Sequence, residues 1–275
     1  MANTPQFGMT GVTAVTSPPG KAQPTLQVPG AGLSWMDRPS ATMGCPPGLE
    51  YLSQLDQVLI HQQVELLEMF TTWETPNKYQ VKNILGQQIF FAFEESEECM
   101  RQWYGPKRGF EMHIVDNMNQ EVMKVSREFN CCARGSCCAE CGDGEKYAHK
   151  VTVEAPPGNP IGYVLQRKSF CKPYYAILDE NRETLLKIRG PYCTCQTVCC
   201  TNDVEFQVLS SDETEQVGKI SKQWAGYLKE LSSDADNFGI QFPMNLEVKT
   251  KAILIGALFL IDFMFFEGKQ NYNQV

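Results

Sequence analysis

Apolar and polar positions alternate in short runs along most of the chain, and the runs come in pairs around polar turns. Lys78–Phe93 is apolar-rich on both sides of Gly86, Phe110–Arg127 alternates on both sides of Asp116-Asn117, and Val151–Gln166 turns at Pro156–Pro160. Tyr174–Gly190 turns at Asp179–Asn181 and Val204–Ser221 at Ser210–Glu213. An apolar run, a polar turn and a second apolar run is the mark of a β-hairpin. Three units share a finer pattern. His113-Ile114-Val115-Asp116, Ala176-Ile177-Leu178-Asp179 and Gln207-Val208-Leu209-Ser210 precede the turns, and Met123-Lys124-Val125, Leu186-Lys187-Ile188 and Gly218-Lys219-Ile220 follow them. The repeat predicts a strand–turn–strand unit whose lysine points away from the apolar face. Five hairpins supply about ten strands and the flanking segments add two. A sheet that large curls, so the expected fold is mainly β, a closed or nearly closed barrel of about twelve antiparallel strands.

Two stretches depart from alternation. Leu49–Phe70 carries Leu52, Leu55, Leu59, Leu66 and Met69 at helical spacing, while Val58-Leu59-Ile60 allows strands, so it reads as an amphipathic helix or as a strand pair. The second is apolar all round, from Ala252, Ile253 and Leu254 through Leu258 and Phe259 to Phe266, and it contains Asp262. Fifteen helical residues reach about 22 Å, against a hydrocarbon core of about 30 Å. An aspartate costs roughly 2.5–3.5 kcal/mol at a bilayer centre and less near its edge. Two readings stand: a helix that fills the barrel, or a short membrane span with Lys249 and Lys251 keeping the main body cytosolic.

Eight of the sixteen prolines lie in residues 1–47, which predicts a disordered leader, the domain proper at residues 48–268 and a short tail at 269–275. The net charge is −8, which argues against nucleic acid as a partner. The twelve cysteines include Cys131, Cys132, Cys137, Cys138 and Cys141 in one inter-hairpin stretch. With no signal peptide visible, they read as acylation sites, as thiolates for a metal (Cys138-x-x-Cys141, with Cys193, Cys195, Cys199 and Cys200) or as plain surface thiols. Asp234, Asp236 and Gly239 follow the order of a calcium loop at positions one, three and six, but Phe238 and Asn245 at positions five and twelve predict a weak calcium site or an ordinary turn. His61, His113 and His149 are scattered, and no GxSxG, P-loop or HExxH motif occurs, so no enzyme chemistry is expected.

CPPGLEYLSQLDQVLIHQQVELLE, PPGNPIGYV, DADNFGIQFP and AILIGALFLIDFMFFE resemble the corresponding segments of phospholipid scramblases, from about Cys45 to Glu267. The resemblance implies a tubby-like fold, a twelve-stranded barrel around the hydrophobic C-terminal helix. It implies calcium-activated, ATP-independent, bidirectional movement of membrane phospholipids between leaflets, at the cytoplasmic face of the plasma membrane. It further implies palmitoylation within Cys131–Cys141, a run that this chain interrupts with Ala133-Arg134-Gly135-Ser136, and calcium binding at Asp234–Asn245, where Asn245 replaces the usual aspartate. Gly218–Gly226 matches a segment that serves nuclear import in some members, so an unacylated form would have access to the nucleus. One such helix cannot line a headgroup path alone, so the transport reading calls for a homo-oligomer or bilayer distortion. The proline-rich leader would meet protein partners, though it lacks PxxP and PPxY. A palmitoylated, lipid-binding adaptor is the competing function, and a metal-binding redox protein a third.

Overall fold

A computed structural model of the chain describes residues 34–41, 43–63, 76–130, 148–169, 172–192, 194, 203–223 and 237–267. Twelve strands close into one barrel, each antiparallel to the next in sequence, with the last pairing to the first. They are β1 Gln57–Gln63, β2 Lys78–Lys82, β3 Gln88–Glu95, β4 Phe110–Val115, β5 Glu121–Arg127 and β6 Lys150–Glu154, then β7 Pro160–Gln166, β8 Tyr174–Asp179, β9 Thr184–Arg189, β10 Val204–Ser210, β11 Gln216–Gln223 and β12 Asn237–Gln241. The five expected hairpins are β2–β3, β4–β5, β6–β7, β8–β9 and β10–β11, and β1 and β12 are the two flanking strands.

The repeated turn chemistry has one structural cause. In β2–β3, β4–β5 and β8–β9 the first strand ends at or just before Asn83, Asp116 or Asp179, whose side-chain Oδ1 accepts from two backbone N–H groups of the turn. A residue in the left-handed region follows three places on: Gly86 (φ 77°), Asn119 (φ 58°) and Arg182 (φ 66°). Asx side chains mimic the backbone in this way and fix the turn locally. Each of the five hairpins also carries a register shift beside its turn, which strengthens twist and helps a sheet close. The lysines of the repeat point outward as expected and meet acids there: Lys187 Nζ lies 2.9 Å from Glu213, and Lys219 Nζ 2.6 Å from Glu205.

The barrel is filled by the apolar C-terminal helix. It is the second α-helix among the described residues, α2 (Val248–Phe265); the first described, α1 (Glu98–Tyr104), links β3 to β4. A helix is apolar on every side when protein surrounds it on every side, and α2 packs against β6, β7, β8 and β12 from within. Ala252, Ile253, Leu254, Leu258, Phe259, Asp262 and Phe266 are all buried. Two glycines let helix and wall approach: a Cβ at Gly256 would lie 2.6 Å from Val153, and one at Gly162 would lie 2.3 Å from Ile253. Of the two readings of this segment, the structure takes the barrel-filling one. No helix among the described residues is long and apolar enough to cross a membrane.

Two expectations change. The Leu49–Phe70 stretch is not a long helix over its described part: a 3-10 turn at Glu50–Gln54 buries Tyr51 and Leu52, and β1 then puts Val58 and Ile60 inward. Residues 64–70 lie outside the described residues. The folded region also begins before residue 48. Trp35 bridges to Gln88, and Arg38 reaches the buried carboxylates of Glu50 (3.2 Å) and Asp116 (3.5 Å). A cation for two buried acids ties residues 34–41 to the barrel where proline content alone suggested a leader.

Candidate functional site: the enclosed helix and the two barrel ends

The two ends of the barrel differ. One, the hairpin end, holds the five tight turns and the N-terminus of α2. The other, the loop end, holds the longer connections and the helix C-terminus.

At the hairpin end Lys251 is fully buried, and its ammonium donates to the carbonyls of Leu52 (3.0 Å), Leu55 (2.7 Å) and Met244 (2.8 Å). Burial holds its pKa below the ordinary lysine value, with Asp56 opposing. Three carbonyls and the Phe242 ring, 5.0 Å away, stand in for water around the charge.

At the loop end the helix terminus meets a buried ion cluster. The Arg108 guanidinium, with no exposed surface, donates to Glu94 (2.7 and 2.8 Å) and to Glu267 (2.5 and 2.8 Å). Asn77 donates to both carboxylates, and Gln62 donates to Asn77. Burial pushes the Glu94 carboxyl up, but the Arg108 hydrogen bonds and charge prevail and hold it below the usual value. For Glu267 burial prevails and the value is raised. Arg108 also stacks over Phe263 of α2, 4.6 Å from the ring centre. One turn deeper, the Tyr79 hydroxyl donates to Asp262 at 2.6 Å. That aspartate, the blemish in a membrane-span reading, is a buried acceptor inside a protein.

His149 lies nearby and is buried. Burial, together with the Arg127 charge, lowers its pKa to about 4. An unfolded histidine takes up its proton near 6.5 and the folded one resists until about 4, so this contribution to stability is complete above pH 6.5 and is lost as pH falls through that window. The gap corresponds to roughly 3 kcal/mol at most. Urea unfolding between pH 7.5 and 5 is expected to show stability falling with pH, and His149→Asn to flatten that slope.

Of the four calcium-loop positions, the structure places Gly239 and Asn245, and it sets them apart. Asp234 and Asp236 lie outside the described residues, and the chain re-enters at Asn237, at the loop end. Gly239 does not make the sharp turn that position six of the template needs. It is extended within β12, paired to Leu59 on one side and Ser221 on the other. Asn245 sits in an exposed turn past the strand, at the hairpin end. The cause is legible in retrospect: Phe238 and Ile240 alternate with Gly239 and point inward. Cys131, Cys132, Cys137, Cys138 and Cys141 lie outside the described residues, between Asn130 and Ala148, where the chain leaves and re-enters at the loop end.

One grouping escaped the sequence reading. Glu95, Glu111 and His113 bring their ligand atoms within 4.8 Å of one another on the outer wall. His113 Nε2 lies 3.2 Å from Glu95, and its Nδ1 lies 2.7 Å from Glu121. The signal was the i, i+2 spacing of Glu111 and His113 on a strand, but Glu95 joins them only through the β3–β4 register.

The scramblase family profile matches residues 36–268 of this chain. Human phospholipid scramblase 1 is 51% identical over 244 residues, which cover 89% of this chain and 73% of the human protein. Bovine phospholipid scramblase 2 is 50% identical over 251 residues, 90% of this chain and 82% of its own length. Human phospholipid scramblase 4 is 39% identical over 258 residues, 94% of this chain and 74% of its own length. No solved structure matches the chain. With the match running through the barrel and the helix inside it, the chain belongs to the scramblase family.

Proposed function

We propose that the protein moves phospholipids between membrane leaflets in both directions, without ATP and in response to calcium. The observation that carries this reading is about half identity, across the whole barrel, to proteins named phospholipid scramblases. Acylation within Cys131–Cys141 would hold the barrel at the cytoplasmic face of the plasma membrane, and two or more chains are needed for a stable hold. Calcium would bind weakly through the carboxylates of Asp234 and Asp236, since Gly239 and Asn245 diverge to different parts of the barrel. Because α2 is enclosed by its own strands, one protomer presents no polar route for a headgroup. A homo-oligomer or local bilayer distortion therefore supplies the route, and partners recruited through the leader would regulate it.

The enclosed helix also favours a second reading, a lipid-anchored adaptor that binds membrane phospholipids and proteins without transport. Purified full-length protein in liposomes carrying a leaflet-specific fluorescent lipid separates the two. The transport reading expects loss of leaflet asymmetry on adding calcium. Asymmetry preserved with calcium, in oligomeric preparations as well, overturns it in favour of the adaptor.

A further inference from the structure

We propose that the loop end of the barrel is the surface that meets the membrane, with Trp103, Tyr104, Phe129 and Tyr192 seated in the interfacial layer of an anionic bilayer. This rests on the reading of the chain as a membrane-associated protein and adds to it a face and an orientation. Trp103 is 83% exposed, Tyr192 78%, Tyr104 46% and Phe129 37%. Large aromatic side chains left in water are unusual, and Trp and Tyr favour the headgroup layer, where the ring is apolar and the N–H or O–H stays wet.

The placement supports a plane rather than a pocket. Trp103 and Tyr104 sit on α1, between β3 and β4, and Tyr104 packs on Phe129 at 4.5 Å between ring centres. Tyr192 follows β9, half the circumference away in the strand order. A flat surface resting on that end touches both sides at once, whereas a single protein partner would have to span the barrel. Cations accompany the rings. Lys107 follows α1, and Lys172 holds its ammonium 3.9 Å from the centre of the Tyr192 ring. Arg167 and Lys168 precede Lys172 on the same β7–β8 link. Lys172 is thus placed where a headgroup phosphate can meet it beside the Tyr192 ring, and Glu97, Glu98, Glu128 and Asp203 share the described connections of this end.

The hairpin end is the natural rival, because Ile84, Leu85, Met118 and Met244 are exposed there. Its turns decide against it. Asp212 and Glu215 lie in the β10–β11 turn, Glu183 in β8–β9 and Glu247 before α2, against Arg182, while Glu213 pairs with Lys187 and Arg189 on the wall and Glu180 with Lys249. An anionic headgroup layer repels such a surface. The loop end is also where the chain leaves and re-enters around the cysteine-bearing stretches 131–141 and 193–200.

The test uses full-length, unacylated protein and phosphatidylcholine–phosphatidylserine vesicles. Flotation should show Trp103→Ala/Tyr104→Ala and Tyr192→Ala each binding about tenfold more weakly, and Leu85→Ser/Met118→Ser binding like the parent protein. Thermal melting unchanged from the parent shows that the fold is intact, as expected for exposed positions. In a Trp73→Phe/Trp224→Phe background, brominated lipid should quench part of the tryptophan emission, and adding Trp103→Phe should leave binding normal yet lose that quenched part. Unchanged binding in both rim variants, or weakened binding in the hairpin-end variant alone, overturns the proposal, as does full quenching in Trp103→Phe. Leaflet exchange is scored separately. Rim-dependent binding without exchange upholds the docking face and, where calcium is present and the preparation is oligomeric, overturns the transport reading.

Discussion

Replacing Arg108 by methionine is expected to destabilise the barrel by about 3–5 kcal/mol, because it leaves two buried carboxylates without the guanidinium that bonds to both. Glu94 and Glu267 both bond to that guanidinium, and water reaches neither well enough to take its place. A domain of this kind has on the order of 5–15 kcal/mol in total, so the variant sits near the threshold of folding. The pH dependence identifies the cause. In the parent, Glu94 is held below its ordinary value, so its share of stability is present above about pH 4.5 and is lost as pH falls through its folded value. In the variant the Arg108 hydrogen bonds and charge are gone and burial pushes both carboxyls up, so their folded forms bind protons more readily than in the parent and acid narrows the deficit. Urea unfolding at pH 7.5 and pH 5 reads this directly. Glu94→Gln or Glu267→Gln placed on the methionine background should restore part of the loss. A deficit below about 1 kcal/mol, or one that grows in acid, would show that the cluster does not hold the helix terminus.

That cluster also shows what the sequence could and could not convey. The strands were legible because burial on one face imposes period two, and the turns because Asn83, Asp116 and Asp179 each fold back on their own backbone. Both are local signals. Arg108, Glu94, Asn77 and Glu267 lie as far as 190 residues apart and meet only when the barrel closes. Nothing at short range marks them. The helical stripe of Leu52, Leu55 and Leu59 misled for the related reason that a 3-10 turn running into a strand places apolar residues at similar intervals. The calcium template counts ligand types and takes no account of Phe238 and Ile240, which commit Gly239 to a strand. The helix was harder still. Its length and Asp262 lean toward a protein interior, but its apolar composition leaves a lipid interior open, and the choice depends on whether strands surround it.

An epitope fused after residue 275 is therefore expected to stay on the same side of the membrane as one fused before residue 1. The 18 residues of α2 reach about 27 Å, just short of the hydrocarbon core, and such a span would carry both Lys251 and Asp262 into or beside that core. Drawing α2 out would also strip the inner wall, where Tyr79, Phe90, Phe206 and Phe238 are fully or almost fully buried. Release on that scale costs on the order of the whole domain's stability, about 5–15 kcal/mol, and nothing in the extracted barrel offsets it. Phe259→Ala makes the point quantitative. The ring is fully buried, 5.1 Å from that of Tyr79, and its removal should cost about 3–5 kcal/mol. If the packed helix is the working form, leaflet exchange and melting temperature fall together in this variant. If the working form is a released, spanning helix, loosening the plug raises exchange while stability falls, and the distal epitope becomes protected from protease added to the leader's side. The ion anchors at both ends, Lys251 on three carbonyls and Glu267 on Arg108, favour the first outcome. Each would have to be broken before the helix could leave.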